Sequence, residues 1–501
     1  MSDNKQLKLG ALLSYLSIFI NIAAGLLYTP WMVEQIGQSQ YGLYTLANSL
    51  ITLFLVDFGL SSATARYISK YRAEDNQQKI DDFLGAVYKL YLGITAVIFV
   101  ALVVLFFFID AIYVELTSAE LQQFKVVYII VASFSVFNFP FVTFNGILTS
   151  YEKFAHLKFA DILYRVSYIV STVIALAMGR GLYALVALHA AVGLLVILYK
   201  FVVIKHSVPI KVNYRHKDKA MYKEIFSFSI WVTLSSLAQR LIFNITPSIL
   251  GMVANSAAIA VFGIVATIES YVYTIITAIN GMFMPRISRL IIEDKEKLKS
   301  LMINVGKYLY ALNGLILSGF AVVGAYFIEL WLGGEYMEAY WGVMLVLLPG
   351  MFYNSLQIAN TTMVVTKKVN IRAYVNIITG VVNLILSVPM SKAYGVTGAC
   401  ASIFIAYTVR AVTLNIIYHR ILPFDMPRFV KNCYIRMSVP VVVTIAAGCA
   451  MNCLIADGGW MMFFGKAGVT AVVYCLLVFV LGFDAADKQK MLTKAKRMLK
   501  R

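Results

Sequence analysis

Two charges deep in apolar sequence define the chemistry open to this chain. Arg240 lies near the middle of one apolar stretch, Phe226–Leu250, and Glu269 near the middle of the next, Ala257–Gly281. A short uncharged turn, Met252–Asn255, joins them. About 20 apolar residues suffice to cross a bilayer as a helix. A charge at the centre of such a helix costs about 3 kcal/mol or more, so it faces protein or water and commonly marks a pathway. The aliphatic pattern is interrupted at helical spacing around both charges: at Arg240, Asn244 and Pro247, and at Glu269, Tyr273, Thr277 and Asn280. Two readings follow. One is a buried Arg240–Glu269 ion pair that locks two helices, because buried charges are generally paired. The other is a pair of polar stripes lining a wet path.

Further polar residues recur on single helical faces. The first apolar segment carries Ser14, Ser17, Asn21, Gly25 and Tyr28, and the fourth carries Asn138 and Asn145. The tenth has Asn354, Gln357 and Thr361, and the eleventh has Asn376 and Asn383. Any one of these can be a seam between helices, where a hydrogen bond contributes about 0.6–2 kcal/mol. Stripes on segments one, seven, eight, ten and eleven together point to a shared polar interior. Arg165 and Arg410 lie near the cytoplasmic ends of segments five and twelve, where a guanidinium either snorkels to the headgroups or serves a cavity. His189, flanked by Ala190 and Ala191, reads as a packed helix contact.

Signatures of catalysis are missing. There is no HExxH, GxSxG or Walker A pattern and no Cys/His set with metal spacing, so neither a catalytic residue, a metal nor a cofactor is expected. Cys449 and Cys453 are four residues apart without an accompanying His or acid, and read as small core fillers. Asp57-Phe58-Gly59 matches a kinase motif, but no other kinase element exists. Any energy coupling must come from ions or from the substrate gradient.

The elements that position these residues follow from composition. Of 501 residues, 60% are hydrophobic and 14% charged, which excludes an ordinary soluble domain. Alternating ten-residue segments are lacking, so the class is an all-α polytopic membrane protein rather than a barrel. Fourteen apolar segments lie near 10–31, 41–59, 84–109, 124–148, 159–178, 182–203, 226–250, 257–281, 304–327, 341–363, 372–391, 396–417, 437–456 and 466–483. With the N-terminus inside, the cytoplasmic segments hold 35 of the 43 Lys and Arg, the outer loops three, and the spans and their edges five. That asymmetry places both termini in the cytoplasm. The net charge of +18 is spread over many short loops, which suits a membrane surface and argues against nucleic acid as a partner.

The basic loop Lys205–Lys223 follows six spans and divides the chain. Across it, at an offset of 214, Lys153 matches Lys367, Gly181 matches Gly395 and Ala187 matches Ala401. Six spans is an even number, so the halves are expected as parallel repeats about an axis along the membrane normal. The expected organisation is a lobe over 1–205, a linker over 206–224, a second lobe over 225–420, two extra spans over 421–483 and a basic tail over 484–501.

The stretch Tyr41–Glu74, YGLYTLANSLITLFLVDFGLSSATARYISKYRAE, resembles the bacterial polysaccharide-transporter family. That family holds the O-antigen and capsule-repeat flippases of the multidrug/oligosaccharidyl-lipid/polysaccharide exporter superfamily. Met284-Pro285-Arg286-Ile287-Ser288 and Tyr394-Gly395-Val396-Thr397-Gly398-Ala399 are similar to it too. The resemblance implies two six-helix lobes that alternate between inward and outward openings. It places Asp57, Arg66 and Arg286 in gating or cytoplasmic motifs. The implied cargo is a polyprenyl-diphosphate-linked oligosaccharide, moved to the outer leaflet of the bacterial cytoplasmic membrane. Membrane lipids, a polysaccharide polymerase and glycosyltransferases are the implied partners. A cationic interior suits a diphosphate, and Asn, Gln and Tyr suit sugar hydroxyls. Many members have twelve spans, and the extra pair resembles lipid II flippases. A cation-coupled drug exporter of the same superfamily is the alternative, although cationic drugs favour an acidic cavity. A membrane glycosyltransferase needs a sizeable outer catalytic loop or a clustered acid site, and neither is present.

Overall fold

Proline, glycine and capping side chains cut the apolar sequence into helices. The computed structural model describes residues 3–55, 57, 59–215, 218–281, 283–366, 368–422, 424–485, 487–489 and 493, and no strand occurs among them. All fourteen apolar segments are helical over most of their length. Among the described residues, ten helices are long and apolar enough to cross a membrane, and a bent pair makes an eleventh. Chain contacts separate two compact units, 1–263 with 387–395, and 264–386 with 396–501. That division falls later than the 206–224 linker and inside a helix.

The first unit begins with α1 (Asp3–Ile36), α2 (Gln38–Phe54) and α3 (Leu60–Ala73). The second apolar segment therefore stops at Phe54, short of the expected Gly59. Gly59 takes a left-handed φ of 66°, which glycine adopts without a Cβ penalty, and Asp57 Oδ2 accepts the Ser61 N–H at 3.3 Å to start α3. Next come α4 (Gln77–Ile112), α5 (Ser118–Asn138), α6 (Thr143–Ser150), α7 (Phe154–Ala177) and α8 (Leu182–Ser207). Asn76 caps α4 through the Lys79 N–H at 3.0 Å, and Thr117 with Glu120 closes a capping box on α5. The described part of the Lys205–Lys223 loop is docked on α4: the Asn213 amide donates to Asp82 Oδ1 at 2.6 Å, and the Lys211 N–H to Asp81 Oδ1 at 2.9 Å.

The expected span Phe226–Leu250 is two helices, α9 (Lys219–Phe243) and α10 (Thr246–Val253). Pro247 has no N–H to bond the Phe243 carbonyl one turn earlier, so the ladder breaks there. Then α11 (Ser256–Gly281) begins in this unit. Gly42 of α2 lies so close to it that a Cβ would collide with the Ser256 carbonyl, which permits backbone-to-backbone packing.

The second unit holds the rest of α11, then α12 (Met284–Glu293) and α13 (Lys295–Leu332), whose cap is Asp294 accepting the Lys297 N–H at 2.9 Å. The bent pair α14 (Glu338–Asn354) and α15 (Gln357–Val365) follows, turning by 50°. The long α16 (Val369–Ile421) is two helices in practice, since Gly395 turns left-handed at φ 56° and Tyr394 is also non-helical. That break separates apolar segments eleven and twelve. The chain ends with α17 (Met426–Phe429), a π-helical turn Val430–Ile435, α18 (Arg436–Leu454), α19 (Gly459–Leu477) and a second π-helical turn Val478–Gly482. A clasp ties the chain's end back to α13: Lys307 Nζ lies 3.0 Å from Asp484 and 2.7 Å from Asp487. Large side chains such as Phe107, Leu27 and Met461 stand exposed on the long helices, as lipid-facing positions do.

Candidate functional site

In the first unit, α1, α2, α5, α6, α7 and α8 enclose a cavity of about 620 Å³. It is walled in part by Asn21, Asn48, Asn138, Asn145, Lys158, Asp161, Tyr164, Arg165, His189 and Lys200. Six of the residues singled out by sequence, Ser17, Asn21, Asn138, Asn145, Arg165 and His189, thus meet at one cavity. Lys158 is paired with Asp161 at 3.1 Å. The other two cations rest on neutral oxygens: Lys200 donates to Asn145 Oδ1 at 2.9 Å, and Arg165 to the Asn21 carbonyl at 3.4 Å. Neither has a carboxylate within 4 Å among the described residues, Lys200 feels the charge of Asp161 from a distance, and three cations against one acid in the wall give the cavity an electrostatic preference for anions.

An aromatic wall supports this site. Tyr164 Oη lies 2.6 Å from His189 Nε2, Tyr44 Oη lies 3.4 Å from His189 Nδ1, and Tyr44 and Tyr168 are 3.3 Å apart at their hydroxyls. Tyr28 contributes an edge contact to Tyr168, with ring centroids 6.2 Å apart. His189 is therefore part of a polar network at the cavity wall and not the simple packed contact expected from its alanine neighbours. Sequence reading also passed over Lys158, Lys200 and Tyr164. The signal for Lys200 is a lone cation inside an apolar segment, which its closeness to the basic loop obscures.

A second cluster of this unit lies where two helices are interrupted. Arg240, just before the break between α9 and α10, donates to the Thr52 carbonyl at the end of α2 and feels the charge of Asp57. Asp57 in turn accepts from the Tyr91 hydroxyl. Asn244 continues the same turn, its N–H bonded to the Arg240 carbonyl at 2.9 Å. Arg66 is exposed on α3, over the ring of Tyr67 at 5.8 Å.

In the second unit the polar residues pack on one another. Arg410 is 1% exposed and donates to Tyr353 Oη at 2.7 Å, with its guanidinium 4.0 Å from that ring's centroid and 5.7 Å from that of Tyr407. It does not snorkel, because stacking and hydrogen bonding hold it inside. Glu269 feels the charge of Arg410, so Arg240 and Glu269 each have an electrostatic neighbour within their own unit. Tyr273, one turn along α11, is close enough to Glu269 and Arg410 to feel both. Asn354 donates to Asn313 Oδ1 at 3.3 Å, Asn360 reaches Gln357 Oε1 at 3.5 Å, and Asn383 accepts from Ser402 at 3.1 Å. Gln357, Asn376 and Asn383 are all buried. Arg286 is exposed on α12. The side chain of Asn280, Lys367 of the repeat match and most of the basic tail lie outside the described residues. No cluster of three metal-binding side chains occurs among the described residues.

The described residues thus form a multi-pass helical fold with a polar cavity inside one unit. Solved structures agree on the fold. A lipid II flippase MurJ in an inward closed conformation superposes with a TM-score of 0.71 at 14% identity, over 94% of this chain and 98% of that one. An inward-facing multidrug resistance MATE family transporter of the MOP superfamily gives 0.65 at 13%, over 84% and 99%. A MOP superfamily transporter from Pyrococcus furiosus, described as having a binding pocket of reverse polarity, gives 0.56 at 13%, over 82% and 94%. Sequence comparison with curated proteins finds no match. The chain belongs to the polysaccharide biosynthesis protein family, whose profile matches residues 7–291.

Proposed function

We propose that this protein is a flippase that moves a polyprenyl-diphosphate-linked oligosaccharide from the cytoplasmic to the outer leaflet for assembly of a cell-surface polysaccharide. The observation that carries the reading is the cavity of the first unit, where Arg165 and Lys200 are held by neutral oxygens. A diphosphate offers the charge those cations lack, and Arg165 can bond two of its oxygens at once. Asn21, Asn48 and Asn138 are suited to sugar hydroxyls. The family supports a role in polysaccharide biosynthesis, and the resemblance in fold to a lipid II flippase supports a lipid-linked cargo.

On this reading the lobes 1–205 and 225–420 alternate between inward and outward openings, with 421–483 as added spans. Arg240 and Glu269, with Asn244, Tyr273, Asn280, Tyr28, Asn354, Gln357, Asn376, Asn383 and Arg410, belong to the polar interior around the path, and Asp57, Arg66 and Arg286 to its gating. Both termini are cytoplasmic in the bacterial inner membrane, and a polymerase and glycosyltransferases work on either side of the transport step. Deleting the gene tests the reading: a lipid-linked glycan should accumulate on the cytoplasmic side and disappear on complementation. Unchanged lipid-linked pools, with sensitivity to cationic drugs instead, would reverse it in favour of a drug exporter.

A further inference from the structure

The second unit holds a larger hollow of different character, unused by the reading above. A groove of about 1270 Å³ runs between α14, the second half of α16 and the α17–π-helical segment. Its wall is overwhelmingly apolar. The polar groups along it are consumed internally: Thr408 donates to the Phe404 carbonyl at 2.8 Å, and Tyr434 to the Phe352 carbonyl at 3.2 Å and Asn415 at 3.3 Å. Such a groove gives water nothing to bind and suits hydrocarbon.

One mouth differs. His419 and Arg420, at the end of α16, and Lys431, in the π-helical turn, line it and are exposed. Among the described residues none of the three has a carboxylate within 4 Å, and the carboxylate of Asp425 between them is turned to cap the Arg428 N–H at 3.2 Å. From Phe404 to Arg420 the wall covers seventeen residues, whose sixteen rises of about 1.5 Å make about 24 Å. One leaflet's share of the hydrocarbon core is about 15 Å, so the groove matches an acyl chain with its headgroup at the basic mouth. π-helical turns concentrate at functional sites, and this one widens the helix where Lys431 and Tyr434 face the groove.

We propose that this groove is a binding site for an anionic phospholipid, with an acyl chain along Phe404–Ile416 and the headgroup phosphate between His419, Arg420 and Lys431. On the orientation proposed above, the mouth lies at the inner leaflet. The site is separate from the cavity around Arg165, and its lipid is a resident ligand and not the cargo.

The test is native mass spectrometry of the full chain in mild detergent, with phosphatidylglycerol and chain-matched phosphatidylcholine added in turn. Two or three basic contacts predict a preference for phosphatidylglycerol of about tenfold or more, weakening with salt. The triple variant His419→Gln, Arg420→Gln, Lys431→Gln should bind both lipids about equally. Ile416→Trp, at a half-exposed groove position, should block both, and an unchanged size-exclusion profile shows that each variant folds. Wild-type protein without a headgroup preference, or a triple variant that keeps one, overturns the proposal. So does displacement of phosphatidylglycerol by an equimolar amount of undecaprenyl diphosphate, which would assign the groove to the cargo. Arg165→Ala should leave phosphatidylglycerol binding unchanged, so the lipid site and the transport reading fail separately.

Discussion

Arg165 and Arg410 look alike in sequence, each a lone cation in an apolar segment, yet the two units treat them differently. Arg165 borders a cavity of about 620 Å³ and among the described residues hydrogen-bonds a backbone carbonyl, whereas Arg410 is 1% exposed and packed on Tyr353 and Tyr407. The partners make the difference. Tyr164, beside Arg165, spends its hydroxyl on His189, while Tyr353 offers Arg410 both a ring face and an oxygen. A deep charge is structural where aromatic and acidic neighbours close over it, and available to a ligand where its contacts are neutral and one side stays open.

The largest expected effect breaks the closed cluster. Arg410→Ala removes a guanidinium that is 1% exposed, bonded to and stacked on Tyr353, and felt by Glu269; losing a buried charged hydrogen bond costs about 1.5–3 kcal/mol. Folded protein recovered from the membrane should fall sharply, and Glu269→Gln in the same chain should restore part of it. Normal yield and melting temperature for Arg410→Ala would erase the contrast between the units. Arg165→Ala should do the reverse, leaving the melting temperature within a degree or two while transport drops about tenfold or more, as expected for a lost charged hydrogen bond to the cargo. Arg165→Lys should fall between, since an ammonium lacks the bidentate fork.

Between these extremes stands the Arg240 cluster. Asp57→Asn and Arg240→Ala, combined in a double-mutant cycle on thermal stability, should show a coupling of about 0.5–3 kcal/mol, because the two charges interact inside one unit. Additive effects would place them apart. The smallest effect is expected at the C-terminal clasp. Burial opposes ionisation of Asp484, but the Asp487 N–H and the Lys307 ammonium outweigh it and hold the carboxyl down at about 2. A depressed carboxylate stabilises the fold above its ordinary value and loses that contribution as pH falls through the folded value. The melting temperature should therefore decline modestly between about pH 4 and pH 2 in wild type. Asp484→Asn should flatten that decline.

Much of the fold was legible because apolar run length needs no tertiary knowledge: all fourteen segments are helical. Their breaks were less so. Gly395 and Pro247 carry visible signals, but the end of α2 at Phe54 depends on Asp57 capping α3 while taking the Tyr91 hydroxyl, a contact 34 residues away. Asn21, Asn138 and Arg165 could be singled out as polar exceptions, and they do meet at one cavity. Nothing in their spacing says which polar stripe stays open. Asn354 and Asn383 have the same signature and are packed against Asn313 and Ser402. His189 shows the converse, since its hydroxyl partners come from α2 and α7, and two neighbouring alanines hide them.

The central claim is that the cavity of the first unit receives an anionic headgroup through Arg165 and Lys200. Binding of undecaprenyl diphosphate and of uncharged undecaprenol to purified protein, wild type and Arg165→Ala with Lys200→Ala, tests it directly. The account predicts that wild type prefers the diphosphate by about tenfold or more, that the double variant loses this preference, and that undecaprenol binding is the same in both. A double variant that still favours the diphosphate as strongly as wild type would contradict it.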